Sequence, residues 1–135
     1  MGDRCNIVVR DKKMDPSMPL EEVLKEGSVV FYGHWSGEAM PFHLRSALGK
    51  HWRWGDAPYL ARIIFDEFTQ NSHREETGFG ISTGLCDNEH PVMVVDVPDQ
   101  KVHMYSLEGP ATCSWSFSEY VAIPDAKLEL AYDPV

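Results

Sequence analysis

The amino-acid sequence predicts an α+β domain: a mostly antiparallel sheet of about five strands with two main helices packed on one face. Three observations lead there. Two β-branched and aromatic runs, Ile7-Val8-Val9 and Val29-Val30-Phe31-Tyr32, open the chain; two segments with helical periodicity fill its middle; three strand-like runs follow between residues 79 and 107. This order is not that of a repeating βαβ unit.

Cys5 to Arg10 reads as the first strand, ending at the polar Asp11-Lys12-Lys13. Pro16 and Pro19 make residues 14–19 a loop, and Leu20, Val23 and Leu24 give a short helix over 20–26 that Gly27 stops. Ser28 to Trp35 reads as a strand whose exit, His34-Trp35-Ser36, lies between Gly33 and Gly37. A helix follows over about 40–48, with Pro41 in its first turn and Leu44, Ala47 and Leu48 on one face. Asp56 caps the strongest helix, residues 57–70, which aligns Leu60, Ile63, Ile64 and Phe68 and spaces Arg62 and Asp66 for a surface pair. Strands are expected over 79–83, 92–97 and 101–107, the last two joined as a hairpin through Pro98-Asp99-Gln100. Ser116 and Glu119 have capping-box spacing, which predicts a short helix over 117–122. The domain is expected to span residues 1–124, with 125–135 a mobile tail or an added edge strand.

A chain of 135 residues, 43% of them hydrophobic, supports one self-sufficient core and no second domain. Its 21 acidic and 12 basic residues leave a charge of -9, the wrong sign for adhesion to phosphate backbones or anionic membranes. Direct nucleic-acid binding is therefore not expected. The excess is local: residues 1–62 carry nine basic and eight acidic side chains, net +1, whereas 63–135 carry three and thirteen, net -10. A solvated surface is the simpler account, and an acidic face for a basic protein partner is the sharper one. Cys5, Cys86 and Cys113 match no metal or redox spacing, and no apolar run approaches a membrane span. The expectation is a cytoplasmic protein with reduced thiols, no metal and no cofactor.

Four groups of residues are candidates for chemistry. In Gly33-His34-Trp35-Ser36-Gly37, His34 and Ser36 leave the sheet between glycines, but Ser36 is displaced by one residue from a nucleophile elbow, so a tight turn with Trp35 in the core competes. Asp87-Asn88-Glu89-His90 offers Glu89 and His90, but an Asx-type turn before Pro91 is the simpler account. A Cys–His pair from Cys5, Cys86, His34, His90 and Asp66 would need neighbours in space rather than in sequence. His51-Trp52-Arg53-Trp54 combines aromatics and a cation, which suit an interface if exposed and a core anchor if buried.

The segments 2–9, 32–38, 59–65, 78–83 and 87–91 together resemble a family of small uncharacterised proteins from bacteria and their phages, over most of residues 1–122. The resemblance implies a cytoplasmic single-domain protein and carries over no catalytic residue. Two functions are weighed. The first is a non-enzymatic protein-interaction module that uses the acidic second half or the Trp52-Arg53-Trp54 loop. The alternative is a small hydrolase or ligand-binding domain with a pocket around His34, Ser36, Glu89 and His90.

Overall fold

Every residue of strand β1 (Cys5–Arg10) is buried in the computed structural model, which describes residues 3–35, 37–74, 77–106 and 108–132. Position explains this. β1 pairs antiparallel with β2 (Ser28–Gly33) on one side and parallel with β4 (Val92–Asp96) on the other. β3 (Phe79–Ser82) joins β2, while β5 (Lys101–Tyr105) and β6 (Cys113–Ser116) extend the sheet beyond β4, giving the order β3-β2-β1-β4-β5-β6. The α+β class stands, and the expected sheet of about five mostly antiparallel strands is corrected to a mixed sheet of six. Two antiparallel meanders meet along one parallel seam. The seam arises because the 83–91 loop crosses back to the end of the sheet where β1 begins, so β4 starts beside the start of β1 and runs the same way.

Alternation along the strands feeds two cores. On one face Ile7, Val9, Phe31, Met93 and Val95 pack against α2 (Met40–Gly49), α3 (Ala57–Thr69), α4 (Phe117–Val121) and α5 (Asp125–Tyr132), through residues such as Leu44, Leu48, Leu60, Ile64 and Phe68. On the other face Val8, Val30, Val92, Val94 and Tyr105 are covered by Met14 and by Leu20 and Val23 of α1 (Leu20–Val23). Arg10 fastens that cover. Its buried guanidinium donates to the carbonyls of Lys12 (2.9 Å), Lys13 (3.2 Å), Val23 and Glu26 (2.8 Å), so residues 11–27 are held by one side chain rooted in β1.

Local chemistry explains the helix ends. Asp56 Oδ1 accepts from the Tyr59 N–H at 3.3 Å, and α3 ends where Gln70 turns left-handed at φ +53°. The expected capping box is present: Ser116 Oγ accepts from the Glu119 N–H and Glu119 Oε1 from the Ser116 N–H. Strand β6 was not expected, because Cys-Ser-Trp-Ser is too short and polar to show a period, and Ser116 both ends it and caps α4.

The tail requires a correction. Residues 125–132 form α5 and not a mobile segment or an edge strand. Leu128, Leu130 and Tyr132 give a weak alternation in sequence, but the spacing that matters is Leu128 to Tyr132, i to i+4, which places both in the core and leaves Leu130 exposed. Leu128→Ala should lower the unfolding free energy by about 2–5 kcal/mol in a urea titration. A change below about 0.5 kcal/mol, the size of a surface substitution, would show that α5 adds nothing to the core.

Candidate functional site

The turn at 34–37 and the loop at 84–91 lie outside the strands, and the residues that lead into β1 hold both. The Asp3 N–H donates to the His34 carbonyl (2.7 Å), and the Gly37 N–H donates to the Asp3 carbonyl (3.0 Å). The Asp3 carboxylate accepts from the Glu38 N–H (2.8 Å) and binds His90 Nε2. Arg4 exchanges backbone bonds with Glu89, donating to its carboxylate at 3.1 Å and accepting from its N–H at 2.9 Å. Asn6, fully buried, donates to the Cys86 carbonyl and to Asn88 Oδ1 and accepts from the Cys86 N–H. The His90 ring stacks on Tyr132 of α5 (5.1 Å, 9°), whose hydroxyl donates to the Gly37 carbonyl. A Cβ on Gly37 would lie 2.6 Å from both the Asp3 carbonyl oxygen and the His90 ring, so only glycine fits there.

His90 borders a cavity of about 260 Å³ with Glu38, Phe42, Glu129 and Tyr132, and an open groove of about 320 Å³ with Asn88, Glu89, Pro91 and Ser106. Burial pushes the Asp3 carboxyl up, but the His90 ring and the N–H groups of Glu38 and Gly37 outweigh it and hold the group below its ordinary value. Burial, with the Asp3 charge second, pushes the Cys5 thiol up to about 12, which removes it as a thiolate nucleophile. With its Nε2 committed to Asp3 and one ring face on Tyr132, His90 pins the loop to β1.

Glu89 and His90 therefore share a groove, whereas His34 reaches this centre only through its carbonyl. Its exposed ring sits between Tyr32 (6.1 Å) and Trp35 (6.2 Å). Trp35 is 56% exposed and not in the core. Ser36 lies outside the described residues. Asp66 is occupied by Arg62 at 2.6 Å, the expected pair. No group of three or more His, Cys, Asp or Glu side chains placed to hold a metal occurs among the described residues, and none of their helices is long and apolar enough to cross a membrane.

The loop after α2 separates its two tryptophans. His51 and Arg53 both adopt left-handed backbone, each at φ +58°, and turn Trp52 and Trp54 to opposite sides. Trp54 goes inward: its Nε1–H donates to the Leu48 carbonyl at 3.0 Å, and its ring stacks on His51 and meets the edge of Phe117. Trp52 goes outward and is 60% exposed, with Lys50 Nζ 5.2 Å from its ring centre. Beside it the guanidinium groups of Arg53 and Arg62 stand 4.8 and 4.9 Å from the Tyr59 ring centre. A cleft of about 300 Å³ runs between Trp52, Lys50 and α3. Sequence reading placed Lys50 beside this loop but missed Tyr59 and Arg62 as members of the surface. The available signal was the i, i+3 spacing of Tyr59 and Arg62 on the polar side of α3, directly after the loop.

The acidic second half is tied to the first. Asp87 faces Arg4 (3.7 Å), Asp99 faces Lys13 (3.6 Å), Glu67 faces Lys50 (3.2 Å), and Asp125 pairs with Arg45. Asp96 is buried, and Glu119 is part of the α4 cap. These acids lie on different elements, and four of them face cations of the first half.

Fold and sites together define an α+β domain with a hydrogen-bonded loop cluster at one end of the sheet and a separate exposed surface of aromatic and charged side chains. No protein-family model matches the chain, and no curated protein or solved structure matches it.

Because the Asp3 carboxyl is held low in the folded state, it adds stability above its ordinary range, and this is lost as pH falls below about 4. Asp3→Asn should lower the melting temperature at neutral pH and flatten its decline between about pH 5 and pH 2. An unchanged slope would contradict the Asp3–His90 linkage. In the native protein at pH 8, Cys5 should react with a disulfide reagent more than about 100-fold slower than the half-buried Cys86 or Cys113. Equal rates for all three thiols would show that β1 opens readily.

Proposed function

We propose that the protein is an interaction module whose contact surface is the Trp52-Arg53-Trp54 loop together with Lys50, Tyr59 and Arg62. The observation that carries this reading is the outward Trp52 beside a Tyr59 ring flanked by two guanidinium groups. Trp, Tyr and Arg are the residues that dominate binding energy at interfaces. Left-handed backbone at two non-glycine residues costs free energy, and here it holds one tryptophan in solvent while Trp54 anchors the loop.

The partner chemistry follows from the side chains. A protein segment that offers an apolar or aromatic side chain to Trp52 and Tyr59 and a carboxylate to Arg53 suits this surface, where Lys50 and Arg62 already face Glu67 and Asp66. A basic partner for the acidic second half has less support, since those acids are dispersed and several are paired with first-half cations. The hydrolase reading around His34, Ser36, Glu89 and His90 also has less support, because Asp3 occupies His90 Nε2 and Arg4 occupies Glu89. Three free thiols favour a reducing, cytoplasmic setting, and the resemblance to proteins of bacteria and their phages makes a bacterial host protein the first place to look.

Pull-down from a bacterial lysate at low and high salt, with wild type and variants side by side, tests the surface. Trp52→Ala and Arg53→Glu should each weaken capture of the same partner by about 30-fold or more while the fold persists, and raised salt should weaken it further. Trp54→Ala should instead destabilise the fold by about 3–5 kcal/mol. Retained capture by Trp52→Ala would remove this loop from the interface.

A further inference from the structure

The second face of the sheet changes from apolar to polar along β5. Tyr105 and Val94 belong to the core on that side, but next on the same face come His103 of β5, Asp96 of β4 and Ser114 of β6. The His103 and Asp96 side chains are 1% and 0% exposed, whereas Ser114 is exposed. His103 Nδ1 lies 2.6 Å from Ser114 Oγ, and His103 Nε2 lies 3.6 Å from Asp96 Oδ2. Asp96 Oδ2 and His103 Nε2 have no hydrogen-bond partner among the described residues. Burying a carboxylate and an imidazole in this way is costly unless they face one another.

The order carboxylate, imidazole, hydroxyl runs from the interior to the surface. With the Nε2 proton directed at Asp96, the Nδ1 lone pair is left to accept the Ser114 proton. We infer that Ser114, His103 and Asp96 form a second, hydrolytic site, in which Ser114 is the nucleophile, His103 the general base and Asp96 the residue that positions His103. The site is distinct from the interaction surface and does not rest on it.

Three further features suit acyl transfer. Ser114 lines an open groove of about 350 Å³ with Pro16, Ser17, Pro110, Ala111 and Thr112, a small and largely uncharged surface that suits a short acyl group. The Phe117 N–H bonds the Gln100 carbonyl, which sets the phase of the β5–β6 ladder and makes His103 and Ser114 a non-hydrogen-bonded pair, the kind whose side chains approach most closely. The same phase turns the Ser114 N–H outward from the sheet edge, where it can donate to a developing oxyanion. Among the described residues, Arg10 lies cross-strand from Asp96 on β1 with its guanidinium engaged by carbonyls, Lys101 lies cross-strand on β5, and Asp99, paired with Lys13, donates its N–H to Asp96 Oδ1 at 3.2 Å.

The substrate class is a short-chain carboxylic ester. Ser114 Oγ bonds to the ester carbonyl carbon as its proton passes to His103 Nδ1. The bond to the leaving oxygen then breaks, and that oxygen takes the proton from Nδ1. Water attacks the acyl-serine, gives a proton to Nδ1, and releases the acid as Ser114 regains its proton.

Two probes test this, a fluorophosphonate followed by peptide mass mapping and p-nitrophenyl acetate hydrolysis. Wild type should carry the phosphonyl adduct on Ser114, Ser114→Ala should hydrolyse the ester at the buffer rate, and His103→Gln should slow labelling about 100-fold or more. Since His103→Gln can unfold the strand, the pH profile of wild-type labelling gives a second measure. A labelling rate that levels off instead of tracking hydroxide concentration is expected. Absence of the Ser114 adduct, or labelling that follows hydroxide concentration from about pH 6 to pH 9 without a plateau, would overturn the inference.

Discussion

The fold depends on β1 being buried on both faces with a neighbour on each side. A central strand in this position cannot leave polar groups unpaired, and two of its six residues, Asn6 and Arg10, carry long polar side chains into the interior. Each is satisfied by backbone from an irregular segment: Asn6 by the loop around Cys86 to Asn88, Arg10 by residues 12 to 26. The demand for hydrogen bonds in the strand thus becomes the means of ordering two loops. Asp3 and Arg4, just ahead of the strand, do the same for the 34–37 turn and for Glu89 and His90.

What could be read from the sequence follows the range of the interaction. Helix α3 was legible because its evidence is local: a cap at Asp56, apolar residues at helical spacing, and the Arg62–Asp66 pair. The capping box at Ser116 and the Pro98-Asp99-Gln100 hairpin were legible for the same reason. The parallel β1–β4 seam was not, because nothing in either strand states which edge its partner takes. Helix α5 was misread because Leu128, Leu130 and Tyr132 satisfy period 2, while the helical spacing is carried by Leu128 and Tyr132 alone over so short a span. Among the site residues, Trp52-Arg53-Trp54 stood out by composition, but which tryptophan faces outward depends on the backbone turn at His51 and Arg53, positions where sequence preference points away from left-handed geometry. Asp96, His103 and Ser114 were invisible without the register of β4, β5 and β6, since any slip by one residue would send them to different faces.

The charge asymmetry also changes meaning in three dimensions. Counted along the chain it divides near residue 62; in the fold, cations of the first part stand against acids of the second at Arg4–Asp87, Lys13–Asp99, Lys50–Glu67 and Arg45–Asp125. Exposed pairs of this kind add little stability each. The cations left with an aromatic neighbour rather than only a carboxylate, Lys50, Arg53 and Arg62, gather on the face that offers Trp52 and Tyr59.

The Arg10 clamp bears on motion. Residues 11–27 cover the smaller core through apolar contacts, the Arg10 guanidinium, the Tyr105 hydroxyl on the Met18 carbonyl, the Ala111 N–H on the Pro16 carbonyl, the Ser28 hydroxyl on the Val23 carbonyl and the Lys13–Asp99 pair. The Arg10 bonds are the ones that span α1, so their loss loosens the backbone on both sides of that helix together. Such opening would bare Val8, Val30, Val92 and Val94 while the helix-covered face stays closed. The two faces of one sheet thereby acquire different lifetimes, a rigid side under four helices and a hinged side under a strap.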